Sequence, residues 1–266
     1  MWIAPKVRLL GAVHYSADGI VSCHRKFEGW EVEVRLRTLL WQLKFIQKAE
    51  SGVTHMQYEQ IKINTQSSIR IEGSKTVYFD PFQIRDEVND ADIICITHSH
   101  FDHFDPDSIE KVRKKDTEFL APAGMAKELG RLADTDKLHL LSPGESLEIG
   151  GASITAQPAY NKIKPFHPRR NGWVGYLLEM DGTRYYIAGD TDALKELQDI
   201  KCDVAMVPIG GTYTMTAKEA AGLINRMQPK AVIPIHYGSV VGKPKDADVF
   251  RKLVDPGIPV IIKLDF

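Results

Sequence analysis

Three imidazoles and a carboxylate, His98, His100, Asp102 and His103, fall within six residues in the run Thr97-His98-Ser99-His100-Phe101-Asp102-His103-Phe104. Imidazole nitrogen and carboxylate oxygen are donors that divalent transition metals take, provided each is deprotonated and aimed inward. A lone histidine is most often packed or solvated. Four metal-capable side chains this dense, with no low-complexity background, point to ligation instead. A nitrogen and oxygen donor set suits Zn²⁺ and also admits Mn²⁺ or Fe²⁺. Such cations make water acidic enough to act as a nucleophile near neutral pH. The chain carries no GxSxG turn and no paired Cys and His to supply a nucleophile of its own.

The elements that must position these residues are readable on either side. Ile93-Ile94-Cys95-Ile96 is short, continuous and rich in β-branched residues, which predicts a buried strand. Asp105-Pro106-Asp107-Ser108 predicts a helix running to Lys115, with Asp105 as N-cap and Pro106 at the first helical position. The cluster therefore sits on a strand-to-helix loop at the strand's carboxyl end, where open α/β layers place their chemistry. Two more residues repeat that placement. Asp190 follows the apolar strand 183–188 after Gly189, and His236 follows Ala231-Val232-Ile233-Pro234-Ile235 directly. Strands ending on one side of a sheet bring such residues into one site.

Elsewhere the pattern predicts an antiparallel opening from 57–64, 68–71 and 76–79, with Asp80 either forming a turn before Pro81 or supporting the site from behind. Further strands are predicted at 119–121, 138–141, 146–149, 152–157, 174–178, 204–209 and 260–262, with Asp181-Gly182 as a hairpin turn. Helices are predicted at 125–132, 216–227 and 246–253; the second opens with a Thr216–Glu219 capping box. His139 alternates with leucines and reads as structural, while Pro234 marks a sheet edge or a ladder break.

The 266 residues are 43% hydrophobic and 26% charged, an ordinary globular balance, and the net charge of −1 gives no nucleic-acid footprint. Cys23, Cys95 and Cys202 form no CxxC pair, which excludes a disulfide framework and a thiolate zinc site and fits a reducing compartment. No apolar run approaches a membrane span and no signal-peptide pattern is visible, so a cytoplasmic protein is the expectation. Residues 1–55 differ from the rest. They hold eight basic and five acidic residues, net +3, against twenty-six and thirty, net −4, for 56–266, and three of the four tryptophans. They read as an appendage with one amphipathic helix near 39–47 and no hairpin, serving as lid, as contact in a homo-oligomer, or as a disordered segment. His14, Cys23 and His24 read there as surface residues. The functional domain is then 56–266.

HxHxDH after one strand, Gly-Asp after a second and His after a third resemble the metallo-β-lactamase superfamily, from about Met56 to the C-terminus. Pro158-Ala159-Tyr160-Asn161, Gly189-Asp190-Thr191-Asp192, the run 210–215 and Pro234-Ile235-His236-Tyr237-Gly238 are similar to its small metal-dependent hydrolases, the ascorbate-phosphate lactonase and N-acyl-phosphatidylethanolamine phospholipase D groups among them. The resemblance implies an α/β (α+β) fold, a four-layer αββα sandwich with a dinuclear site at one edge. By position His98 and His100 would hold one divalent metal ion, and Asp102, His103 and His236 the other, with Asp190 bridging. Zinc is the expected metal, with hydroxide between the ions as nucleophile, so Asp102 and Asp190 are catalytic as well as ligating. The third histidine of the first ion is replaced at its usual place by Asn161, which leaves His167, six residues on, or Asn161 itself to complete it.

The expected activity is hydrolysis of a small ester, lactone or phosphodiester. Arg169 and Arg170 would hold an anionic group, since a guanidinium matches phosphate or carboxylate. Tyr160, Tyr213 and Tyr237 are the oxyanion-donor candidates. The rivals are a non-catalytic metal-binding or regulatory module and a nuclease of the same superfamily; the nuclease needs a basic track that 56–266 lacks. An oxygen-reducing diiron flavoprotein is disfavoured by Ser99 where such relatives have Glu, and by the absence of a flavodoxin-like stretch. The expected partner is a small-molecule substrate, with no nucleic acid and no membrane span.

Overall fold

Apolar runs of the sequence resolve into two six-stranded sheets in the computed structural model, which describes residues 58–264 and four short strands nearer the N-terminus. The chain divides into two units, Met1–Gln57 and Tyr58–Phe266. In the first, β1 (His14–Tyr15) pairs antiparallel with β2 (Val21–Ser22), and β3 (Lys26–Phe27) with β4 (Trp30–Glu31). These two hairpins correct the expectation that the stretch holds none; two-residue strands are too short for alternation to register. The helix expected near 39–47, and the side chains of His14, Cys23 and His24, lie outside the described residues.

In the second unit β5 (Ile61–Ile63), β6 (Ile69–Glu72) and β7 (Thr76–Phe79) form the antiparallel opening. β8 (Ala91–Cys95) adds in parallel, α1 (Pro106–Val112) follows, and β9 (Arg113–Pro122), α2 (Ala126–Leu129) and β10 (Leu138–Leu141) complete the first sheet in the order β10-β9-β8-β7-β6-β5. The second sheet runs in chain order: β11 (Ser146–Ile149), β12 (Ala152–Pro158), β13 (Val174–Met180), β14 (Thr183–Ile187), β15 (Val204–Pro208) and β16 (Ala231–Ile235). α3 (Ala217–Met227) joins the last two strands and α4 (Asp246–Leu253) follows β16. Asp181 and Gly182, both at positive φ, turn β13 into β14.

The alternation of β8 explains its unbroken apolar run. Ile93 and Cys95 face the second sheet and join Phe79, Leu120, Tyr176, Ile187, Met206 and Ile233 in the central core. Ile94 and Ile96 face outward and pack with Ile109 and Val112 of α1. On the far side Ala205, Val207 and Val232 meet Leu223, Ile224, Met227 and Phe250 of α3 and α4. The result is four layers, helix, sheet, sheet, helix, with central strands such as β8, β15 and β16 buried on both faces. The expected αββα fold is thus the observed one.

Three local expectations need correction. α1 ends at Val112, not Lys115, because Arg113 is already extended and begins a ten-residue strand. The polar run 114–118 resembles a helix tail, but Thr117 Oγ1 donates to Ala91 O at 2.6 Å, which draws the segment beside β8. A 3₁₀ turn at Ala123–Met125 and the four-residue α2 stand where one helix was expected. Residues 260–262 contribute only a bridge between Val232 and Val260, not a strand, which leaves Pro234 on the last strand of its sheet. His139 keeps its structural role through Glu118 of the neighbouring strand, whose Oε2 lies 2.8 Å from Nε2.

Candidate metal centre

Every donor singled out in the sequence leaves the carboxyl end of a strand or the loop beside it. Thr97 stands two residues past the end of β8 and anchors the histidine loop. Its N–H donates to Asp80 Oδ1 at 2.7 Å and its hydroxyl to Asp80 Oδ2 at 2.6 Å. Asp80, at the end of β7, is fully buried with φ of +45°, so it serves as both the turn and the support that its sequence allowed. A second oxygen contact fixes a ring: His103 Nδ1 lies 2.7 Å from Asp80 Oδ2, which turns Nε2 away from the core. His98 Nδ1 sits 3.0 Å from the Thr97 hydroxyl, so its Nε2 also faces outward, 3.1 Å from His100 Nδ1. A carboxylate or hydroxyl behind an imidazole in this way fixes the tautomer and ring orientation of a metal ligand.

The loop after β12 carries both residues between which the sequence left a choice. Asn161 is buried and turned from the centre: its amide donates to Asp192 Oδ1 at 3.1 Å and to Tyr213 O at 2.9 Å. Its Oδ1 accepts from the His167 N–H at 3.1 Å and lies 3.0 Å from His167 Nδ1. His167 Nε2 is thereby aimed inward, 3.2 Å from Asp190 Oδ2. Asp190 arrives after Gly189, whose φ of +62° and a Cβ position only 2.9 Å from Val174 O leave no place for a side chain. His236 adopts φ of +54°, and its N–H donates to Gln66 O at 2.9 Å. That strained turn aims Nε2 at the same point, 3.3 Å from both Asp102 Oδ2 and Asp190 Oδ2.

The donors gather into overlapping trios: His98, His100 and His167; His98, His103 and Asp190; Asp102, His103 and His236. Within each, one donor atom per residue lies within 4.8 Å of the others. Asp190 stands between the outer two trios, with Oδ1 3.3 Å from His103 Nε2 and Oδ2 beside His167 and His236. His103 Nε2, His167 Nε2, His236 Nε2 and Asp190 Oδ1 are buried and make no hydrogen bond. Orphaned groups of this kind cost about 1–3 kcal/mol each when nothing satisfies them. Convergence of several orphaned donors on one point is what a divalent cation satisfies, so the residues fit a metal.

The charge states fit as well. Burial, with His103 nearby, holds His98 well below the ordinary imidazole value, and burial lowers His100. Burial raises the Asp102 carboxyl, but His236 and His103 outweigh it and bring it down to about 2. Asp190 is likewise pulled well below the usual carboxylate range against its burial, by His236 and His103. Burial lowers the His103 imidazole, but Asp190 and Asp80 outweigh it and hold it well above its ordinary value, so a cation binding there would displace its proton.

Residues 60–236 match the family model for the β-lactamase superfamily domain, about two thirds of the chain. The chain belongs to the metallo-β-lactamase superfamily. This member is 31% identical over 208 residues to a UPF0173 metal-dependent hydrolase of Thermococcus onnurineus, covering 74% of the chain and 92% of the relative. A metal-dependent hydrolase of Methanoregula boonei is 32% identical over 199 residues, 70% and 86% of the two chains. Among solved structures, a metal-dependent hydrolase of Parabacteroides distasonis superposes with a TM-score of 0.66 at 35% identity, covering 77% of this chain and 93% of that one.

Around the donors this superfamily member opens a cleft of about 220 Å³. His100, Asp102, His167, Asp190 and His236 form its floor, and Phe101, Phe166, Tyr213 and Val240 its walls. Tyr213 is placed at the cleft. The other substrate-side candidates are not. Tyr160 donates its hydroxyl to Glu196 at 2.7 Å, and the Arg169 guanidinium lies over the Tyr160 ring, 5.2 Å from its centroid. Arg169 and Arg170 form a 3₁₀ turn and do not line the cleft. Tyr237 is fully buried in the core beneath α3 and α4. Two further residues reach the centre: Gln66, whose amide lies 3.4 Å from Asp102 Oδ2, and Trp173, whose ring lies 4.9 Å from those of His98 and His100. No motif marks either residue; only the folded arrangement brings them in.

Proposed function

We propose that the protein hydrolyses a small ester, lactone or phosphodiester at a centre of two divalent cations, zinc for preference and manganese or iron as substitutes. His98, His100 and His167 would hold one ion, Asp102, His103 and His236 the other, and Asp190 would lie between them. The observation that carries this reading is the set of orphaned, buried donor atoms converging on Asp190 at the floor of an open cleft. Bound cations would supply an activated water and polarise the attacked oxygen. The chain's own residues do the rest. Asp80 and Asn161 hold His103 and His167 in orientation, Thr97 holds His98, and Trp173 shields the first trio from solvent. Tyr213, which lines the cleft, would offer its hydroxyl to a bound substrate.

The open cleft favours an enzyme over a closed storage or regulatory site, because a ligand can reach the donors directly. A nuclease reading finds no cation among the lining residues to track a phosphate backbone. The test is turnover of bis(p-nitrophenyl) phosphate, a lactone panel and an ester panel by metal-loaded protein, each compared with the chelated form. Metal-dependent turnover of at least one class is expected. Tight metal binding with no turnover of any class would favour the non-catalytic module.

A further inference from the structure

The walls of the cleft differ in chemistry from its floor. Phe101 is 67% exposed, Phe166 40% and Val240 41%, and with Tyr213 they ring the entrance to the donors. Large apolar side chains this open, gathered at one concave place, mark a surface that something apolar covers. Two of them are held in place by neighbouring rings. Phe166 meets Tyr213 edge-on at 4.7 Å between centroids, and Phe101 meets Phe82 in the same manner at 6.1 Å.

The cations nearby are turned elsewhere. Lys164 donates to Asp192 and Thr214 O, Lys162 to Ala193 O, and Arg169 lies over Tyr160. Among the described residues no Lys or Arg lines the cleft, so beyond the metal centre a substrate anion would meet no counter-charge from them. At about 220 Å³ the space equals roughly seven waters at ~30 Å³ each, enough for a short acyl chain or one ring.

We infer that the cleft takes substrates carrying a small neutral aliphatic or aromatic group, seated against Phe101, Phe166, Tyr213 and Val240 with the scissile bond over Asp190. This rests on the hydrolase reading for the chemistry and replaces the anionic group that Arg169 and Arg170 had suggested. Phe101 and Phe166 are then specificity-determining residues.

The test uses metal-loaded full-length protein and p-nitrophenyl acetate, hexanoate and hemisuccinate, which share a leaving group and differ in the acyl side. Each kcat/KM is divided by the ester's own hydroxide-catalysed rate. Hexanoate is expected to exceed both acetate and hemisuccinate by about tenfold or more, and Phe166→Ala and Phe101→Ala are each expected to cut the hexanoate-to-acetate ratio at least threefold. Both side chains are well exposed, so their truncation leaves the fold intact. Preference for hemisuccinate, or a ratio unchanged by both substitutions, would overturn the inference. Should no ester turn over, the hydrolase reading of this panel fails, and saturation-transfer NMR with hexanamide and succinamate tests the cleft separately. Hexanamide signal that falls in both variants would still support the apolar site; no hexanamide binding, or stronger succinamate binding, would overturn it.

Discussion

His167 and Asn161 compete for one place on the same loop, and their difference is a matter of which atom faces where. Asn161 spends its amide on Asp192 and the Tyr213 carbonyl and its oxygen on His167, so nothing remains to reach the centre. His167, fixed from behind at Nδ1, presents Nε2 beside Asp190. His167→Ala removes a donor and is expected to abolish retention of one of two ions. Asn161→Ala removes only the support, and a lost partner behind a ligating imidazole weakens metal affinity by about 10–100-fold. Competition with a chromogenic chelator measures both. Equal, wild-type-like affinity in the two variants would contradict the assignment. The family resemblance narrowed the choice to these two residues and went no further, because what orients them lies in contacts across 31 and 52 residues of chain.

At the level of elements, the site depends on how the two sheets meet. Tyr176 of β13 is fully buried and donates to Ile96 O at 2.7 Å, and the Val174 N–H reaches Thr97 O at 3.2 Å. The second sheet thus grips the first where the histidine loop begins. Tyr176→Phe leaves the Ile96 carbonyl without that donor at a cost of about 1–3 kcal/mol. In a domain of this size a loss of that order lowers Tm by roughly 2–4 °C per kcal/mol, measurable by calorimetry on the chelated protein. An unchanged Tm would show that the tie carries no weight. Elements whose signal is local were legible beforehand: β8 from its continuous run, α3 from its capping box, both ends of α4. The junction of α1 with β9 was not, since the charged run 114–118 becomes a strand only by pairing with β8. Tyr160 and Tyr237 failed for a related reason. A tyrosine near a strand end has no sequence mark telling which way its hydroxyl points, and Glu196 and the α3–α4 core claim these two.

Among the described residues, the candidate metal donors belong to the second unit. All the donors lie between Asp80 and His236, and the three apolar clusters draw, among the described residues, only on Tyr58 and beyond. We propose on that basis that residues 1–55 are dispensable for folding and metal binding. A chain starting at Met56 is expected to stay monodisperse and to bind metal with the affinity of the full chain; loss of either would make the appendage part of the working protein. Metal should also stabilise the fold, by about 2.7 kcal/mol at a free concentration one hundred times Kd. On the proposed reading, the loops at one end of the two sheets assemble two cation positions about Asp190. Anomalous-scattering diffraction at the zinc edge from zinc-loaded crystals tests this most directly. Two peaks are expected, one against His98, His100 and His167, the other against Asp102, His103 and His236, with Asp190 touching both. A single peak, or peaks away from Asp190, would contradict it.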